Sequence, residues 1–171
     1  MRKNRILLVE DNPDHAELII DVLEAEYKKE VILIKDGKEA IDYFQKACPR
    51  EPYQTSPLKQ SVTRAEFDGD DEIGPQIDLI ILDLNLPKVR GMDILKFLKQ
   101  NSMYRSIPVV VLSTSSDGKT IEKAYENGTD GYITKSVSFE GLVEKIKALS
   151  NYYDEYYKLN NSGINTKQLL L

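Results

Sequence analysis

Three carboxylates define the chemistry open to this chain. Asp83 ends the apolar run Ile77-Asp78-Leu79-Ile80-Ile81-Leu82, and Glu10 and Asp11 follow a second run, Ile6-Leu7-Leu8-Val9. A charge at the carboxyl end of a buried strand must find partners or lose its ionisation. If the two strands are neighbours, the acids meet in one pocket. Each like-charge pair about 4 Å apart then repels by about 4 kcal/mol at an effective dielectric of about 20. A positive group must offset that repulsion, and a divalent cation is the simplest. Ligands that are all oxygen suit Mg²⁺, which prefers few carboxylates plus waters or phosphate oxygens. Two further groups stand at matching places: Ser113 after the run Val109–Leu112, and Lys135 after Tyr132-Ile133. The lysine offers a cation to an anionic ligand, the serine a hydroxyl donor. A carboxylate flanked by a metal, an ammonium and a hydroxyl is a nucleophile toward phosphorus, with an acyl phosphate on Asp83 as its product.

The elements that must position these groups are legible in the apolar pattern. Five short runs, Ile6–Val9, Val31–Ile34, Ile77–Leu82, Val109–Leu112 and Tyr132-Ile133, are rich in β-branched residues. Such runs mark strands covered on both faces, as in a parallel sheet. Helical spacing fills the intervals at Ala16–Tyr27, Lys38–Ala47, Met92–Gln100 and Ser116–Asn127, and follows the last strand at Phe139–Leu159. Asn127-Gly128 is a stop signal for the fourth helix. Alternation of strand and helix predicts an α/β fold with right-handed crossovers: a doubly wound, five-stranded parallel sheet of order 2-1-3-4-5 in three α/β/α layers, flavodoxin-like in outline. In such sheets ligands bind outside the carboxyl ends of the strands, where the strand order reverses. Here that point lies between strands one and three, so all the polar groups above face one crevice.

The 171 residues, 41% hydrophobic, suit one domain with a core and leave little room for a second. A balance of 23 basic against 28 acidic residues argues against general nucleic-acid affinity. A single cysteine, Cys48, makes no internal disulfide and fits a reducing, cytoplasmic setting. The basic start Met1–Arg5 leads into too short an apolar run for a signal peptide, and no stretch is long enough to span a membrane. Two segments break the rhythm. The stretch 49–76 carries four prolines (Pro49, Pro52, Pro57, Pro75) and the acidic run Asp68–Glu72, and it reads as a surface insertion. The tail from Asn160 ends in Leu169-Leu170-Leu171. The expected organisation is a domain over 1–159 and a tail over 160–171.

On these residues the chain resembles the receiver domain of two-component response regulators, the CheY-like family, over about Arg5 to Asn151 apart from the insertion. Glu10-Asp11 is similar to the family's acidic pair, and Asp83, in Asp83-Leu84-Asn85-Leu86-Pro87 with Gly91 beyond, to its phosphoacceptor. Ser113 occupies the hydroxyl position, Lys135 the lysine position and Tyr132 that of the switch aromatic. The resemblance implies a sensor histidine kinase as phosphoryl donor. It implies Mg²⁺ held by Glu10, Asp11, Asp83 and the backbone carbonyl of Asn85, and a conformational switch through Ser113 and Tyr132. Asn85 and Ser115, which flank the phosphoryl site in the family pattern, are implied to tune the lifetime of the acyl phosphate. It implies no enzyme in the ordinary sense, only self-catalysed phosphotransfer and autodephosphorylation. There are two departures. Glu10 stands where aspartate is commoner, and Ser136 follows Lys135 where the family usually has proline. A cis bond before serine would cost about 3 kcal/mol, so trans is expected. The wording around Asp83, Ser113 and Lys135, with the insertion before strand three, is similar to the small stand-alone regulators paired with bacterial phytochromes.

Plainer readings stand beside these. Asp83 as a turn cap is disfavoured by the two other acids at strand ends, whereas Glu10 and Asp11 can cap the first helix as well as bind metal. Ser113 could be a turn residue, Lys135 a surface lysine, and Tyr132 packing or, in an inactive receiver, exposed. His15 reads as an exposed first-turn residue that forms neither a metal cluster nor a triad. In the last helix Leu142, Ile146, Leu149, Tyr153 and Tyr156 fall near heptad spacing, widened by Tyr152 and Tyr157. That predicts a homodimer through this helix and strand five, against a protruding helix end on a monomer. An aspartate-nucleophile phosphatase would need a second aspartate where Asn85 stands. A flavodoxin-like nucleotide binder would need a phosphate-cradling loop where Glu10-Asp11-Asn12-Pro13 stands. An unphosphorylated pseudo-receiver, acting by interaction alone, differs from the main reading only in a phosphorylation assay.

Overall fold

The computed structural model describes residues 5–47 and 77–161. The proposed insertion 49–76, Cys48 and residues 162–171 of the tail lie outside the described residues. Five parallel strands, β1 (Arg5–Val9), β2 (Glu30–Ile34), β3 (Leu79–Leu82), β4 (Val109–Ser113) and β5 (Gly131–Thr134), form one sheet of order β2-β1-β3-β4-β5. The helices are α1 (Pro13–Asp21), α2 (Gly37–Ala47), α3 (Gly91–Gln100), α4 (Gly118–Glu126) and α5 (Phe139–Asn161). The expected doubly wound α/β class and strand order are therefore the observed ones.

Each strand is apolar on both faces because each face carries its own core. Leu7, Val9, Ile80, Leu82, Val109 and Val111 point to one side and meet Ala40 and Phe44 of α2, Ile94, Leu95 and Leu98 of α3, and Ala124 of α4. Ile6, Leu8, Leu79, Ile81, Val110 and Leu112 point to the other and meet Ala16 and Ile19 of α1 and Leu142, Ile146 and Leu149 of α5. The pleat of a strand sends successive side chains to opposite faces, and burying each such aliphatic side chain contributes about 1.5–3 kcal/mol.

Several boundaries move. The third strand begins at Leu79 rather than Ile77, and Asp78 ties its start to β1: its carboxylate accepts from the backbone N–H of Arg5 and its own N–H donates to Arg5 O, each at 2.8 Å. The first helix starts earlier than its apolar spacing shows. Asn12 caps it, accepting from Asp14 and His15 N–H, and Pro13 fills the first turn, where its missing N–H costs nothing. It then continues as a π-helical turn, Val22–Glu26, before Lys28 takes a left-handed φ of 53°. The last helix runs to Asn161, two residues past the expected Leu159. No cis peptide occurs among the described residues, in line with the trans bond expected before Ser136. No helix among them is long and apolar enough to cross a membrane.

Candidate functional site

Register does most of the positioning. Val9 lies opposite Leu82 in the β1–β3 ladder, and Asp83 N–H donates to Val9 O at 3.0 Å, so the next residues, Glu10 and Asp83, emerge side by side. Ser113 pairs with Thr134 at the end of β4–β5, and Lys135 N–H donates to Ser113 O at 2.7 Å. Glu10, Asp11 and Asp83 are thereby brought together, each offering a carboxylate oxygen within 4.8 Å of the others'. Glu10 and Asp83 are buried; Asp11 is exposed at the rim.

Lys135 reaches between the two buried acids. Its Nζ donates to Glu10 Oε2 and to Asp83 Oδ2, both at 2.6 Å. The repulsion that the sequence reading assigned to a divalent cation is thus already offset in part by an ammonium. The opposite oxygens are held by tight turns: Asp83 Oδ1 accepts from Asn85 N–H (2.9 Å) and Glu10 Oε1 from Asn12 N–H (3.2 Å). Burial nonetheless pushes the Glu10 carboxyl above its ordinary value of 4.5, only partly countered by the hydrogen bond and charge of Lys135. The three side chains that come together as possible metal ligands, Glu10, Asp11 and Asp83, all offer hard carboxylate oxygens, the set that suits Mg²⁺.

A second group of polar contacts runs along the end of β4. Ser113 is wholly buried, and its Oγ accepts from Ser115 N–H at 3.2 Å. Tyr132 is not exposed. It packs against the core on the α3–α4 side, and its hydroxyl donates to Ser115 O at 2.8 Å. The Asn85 amide donates to Thr114 Oγ1 at 3.2 Å, joining the loop after β3 to the loop after β4. Thr114 received no role from the sequence, since the neighbouring Ser113 took the hydroxyl position.

The sequence reading also placed His15 wrongly in solvent. It is partly buried, with Nδ1 3.4 Å from Lys135 Nζ and 3.7 Å from Glu10 Oε1. The available signal was its position in the first turn of a helix whose amino end opens onto the acids.

The comparisons with known proteins agree with this geometry. Residues 71–147 match the response regulator receiver domain. A probable methanogenesis regulatory protein, FilR2 of Methanothrix harundinacea, is 33% identical over 149 residues, covering 86% of this chain and 82% of that protein. Response regulator Rcp1 of a Synechocystis strain is 32% identical over 151 residues and 88% of each chain. Its Mn²⁺-bound crystal structure superposes with a TM-score of 0.69. The phosphorylated cyanobacterial phytochrome response regulator RcpA superposes with a TM-score of 0.70 at 31% identity, covering 89% of this chain and 94% of that one. A parallel sheet of this order, a buried acid pair at its switch point bridged by a lysine just after β5, and identity above 30% across most of each relative lead to one assignment: the chain belongs to the response regulator receiver domain family.

Proposed function

We propose that this receiver accepts a phosphoryl group on Asp83 from a sensor histidine kinase in a Mg²⁺-dependent reaction, and signals by a change of conformation rather than by turnover of a substrate. The observation that carries the reading is Lys135 Nζ, 2.6 Å from both Asp83 Oδ2 and Glu10 Oε2, with the Asp11 carboxylate alongside. An Asp83 oxygen attacks phosphorus; a P–O bond forms, the P–N bond to the donor imidazole breaks, and the imidazole, protonated beforehand on its other ring nitrogen, keeps the electron pair of the broken bond and leaves neutral. Glu10, Asp11, Asp83 and the Asn85 backbone carbonyl would hold the metal, which supplies neutralisation of phosphoryl charge. Lys135 moves its ammonium from the Asp83 carboxylate to a phosphoryl oxygen. Ser113 turns its hydroxyl from the Ser115 N–H toward the same group.

Tyr132 follows, because its hydroxyl is bonded to the carbonyl of Ser115, the residue whose N–H Ser113 now holds. The face formed by α4, β5 and α5 changes with it. The shift in population is limited by how differently the two states contact the phosphoryl group. Asn85 and Ser115 flank the site and tune how long the acyl phosphate survives. The similarity to RcpA, a phytochrome response regulator by its description, supports a phytochrome-type kinase as donor, in the cytoplasm. The exposed rings of Tyr152 and Tyr156, stacked edge-on about the buried Tyr153, support a homodimer through α5 and β5.

The test is labelling with acetyl phosphate in the presence and absence of Mg²⁺, followed by mapping of the modified residue. Label is expected on Asp83 only, dependent on Mg²⁺ and lost in Asp83→Asn. Label that persists in Asp83→Asn overturns the assignment. A chain that never takes label is an unphosphorylated interaction module instead.

A further inference from the structure

His15 touches the reacting cluster yet has no part in the reaction as described. The cap at Asn12 fixes its backbone, since Asn12 Oδ1 accepts from both Asp14 N–H and His15 N–H. The first turn of α1 then leaves the imidazole against Lys135. An ammonium carries three protons and no acceptor. Two of the Lys135 protons go to Glu10 Oε2 and Asp83 Oδ2; His15 Nδ1, at 3.4 Å, is the third contact of the nitrogen. A protonated Nδ1 would meet the ammonium donor to donor, and the carboxylate oxygen it also faces, Glu10 Oε1 at 3.7 Å, lies beyond hydrogen-bond distance. A bare Nδ1 lone pair accepts.

We propose that His15 is a positioning residue for Lys135, its unprotonated Nδ1 taking the third ammonium proton. Two carboxylates alone fix Nζ between Glu10 and Asp83 but leave it able to swing sideways on its four-carbon stem. The imidazole closes that remaining direction from the α1 side. It also keeps Nζ anchored at Glu10 and His15 while the contact to Asp83 is exchanged for one to a phosphoryl oxygen. That last step rests on the phosphoacceptor reading above; the contact between ring and ammonium does not.

The experiment has two arms. His15 is the only histidine of the chain, so every imidazole ¹⁵N resonance belongs to it. Spectra are recorded without metal at about pH 9, above the ordinary imidazole range. The expected pattern has the proton on Nε2, and an Nδ1 resonance that shifts when Lys135→Gln removes the ammonium. A proton on Nδ1, or an Nδ1 resonance indifferent to Lys135→Gln, overturns the proposal. Lys135→Met replaces that variant if circular dichroism shows it unfolded.

The second arm is the rate of labelling by acetyl phosphate at saturating Mg²⁺. His15→Ala is expected to slow it about fivefold, the rate equivalent of one modest hydrogen bond. His15→Asn, whose amide oxygen stands near the place of Nδ1, is expected to return it to within about twofold. Wild-type labelling in His15→Ala, or no rescue by His15→Asn, overturns the positioning role and decides the matter if neither lysine variant folds. Absence of label on the unmodified protein would instead count against the phosphoacceptor reading, leaving the resonance arm to judge His15.

Discussion

Substituting Gly91→Ala should injure both stability and phosphoryl acceptance, and the size of the injury follows from one close approach. Gly91 opens α3, is buried, and donates its N–H to Leu84 O at 3.1 Å. Its φ is not positive, so alanine meets no conformational penalty there. The obstacle is space. A Cβ built on Gly91 would lie 2.0 Å from Asp83 O, 2.7 Å from Leu84 Cα and 2.8 Å from Asp83 C. All three are backbone atoms, which cannot rotate aside, and contacts under 3.0 Å are essentially never made. The backbone of Asp83, the proposed phosphoacceptor, must therefore retreat by about 1 Å, at a cost of about 1–3 kcal/mol for overpacking. A displacement of about that size at a reacting group costs up to about a hundredfold in rate. Gly118→Ala is the matched control, since it also opens a helix but has no atom within 4 Å of the new Cβ. It should be neutral or stabilising by up to about 1 kcal/mol. Urea unfolding followed by circular dichroism and labelling with acetyl phosphate read the two effects. A Gly91→Ala protein with wild-type midpoint and wild-type labelling would refute the reasoning.

Glu10 makes stability depend on pH in an unusual direction. Its carboxyl is held above 4.5 by burial, so the folded state binds this proton more tightly than the unfolded chain. Its share of stability is therefore present in acid and lost as pH rises through the folded-state value. The melting temperature of Glu10→Gln minus that of wild type should grow between about pH 4 and pH 7; a difference that is flat or shrinks with pH contradicts the burial argument. Sedimentation at micromolar concentration is expected to find a dimer that Tyr152→Ser together with Tyr156→Ser dissolves, and a wild-type protein that stays monomeric with and without a phosphoryl analogue would end the dimer proposal.

The class of fold was legible because burial on both faces leaves a local mark. Runs such as Ile6–Val9 and Val109–Leu112 have no polar alternation, and only a parallel sheet covered by helices on both sides consumes them. The acids were legible for a related reason: a charge directly after such a run, at Glu10 or Asp83, has to sit at a strand end. The length of α1 was not, since its π-helical turn depends on what packs beside it.

What the sequence by itself determined is thus which residue types stand at which ends of which strands. The tertiary structure decided which of their atoms touch. The contacts of Lys135 with Glu10 and Asp83 join residues 125 and 52 positions apart; they exist because β5, β4, β3 and β1 lie in parallel register, and no spacing along the chain encodes them. The place of His15 against the ammonium, and of the Tyr132 hydroxyl on the Ser115 carbonyl, was decided in the same way. Periodicity reports the environment that a residue must enter, whereas hydrogen bonds are made at the scale of an ångström, which only the packed assembly of elements defines.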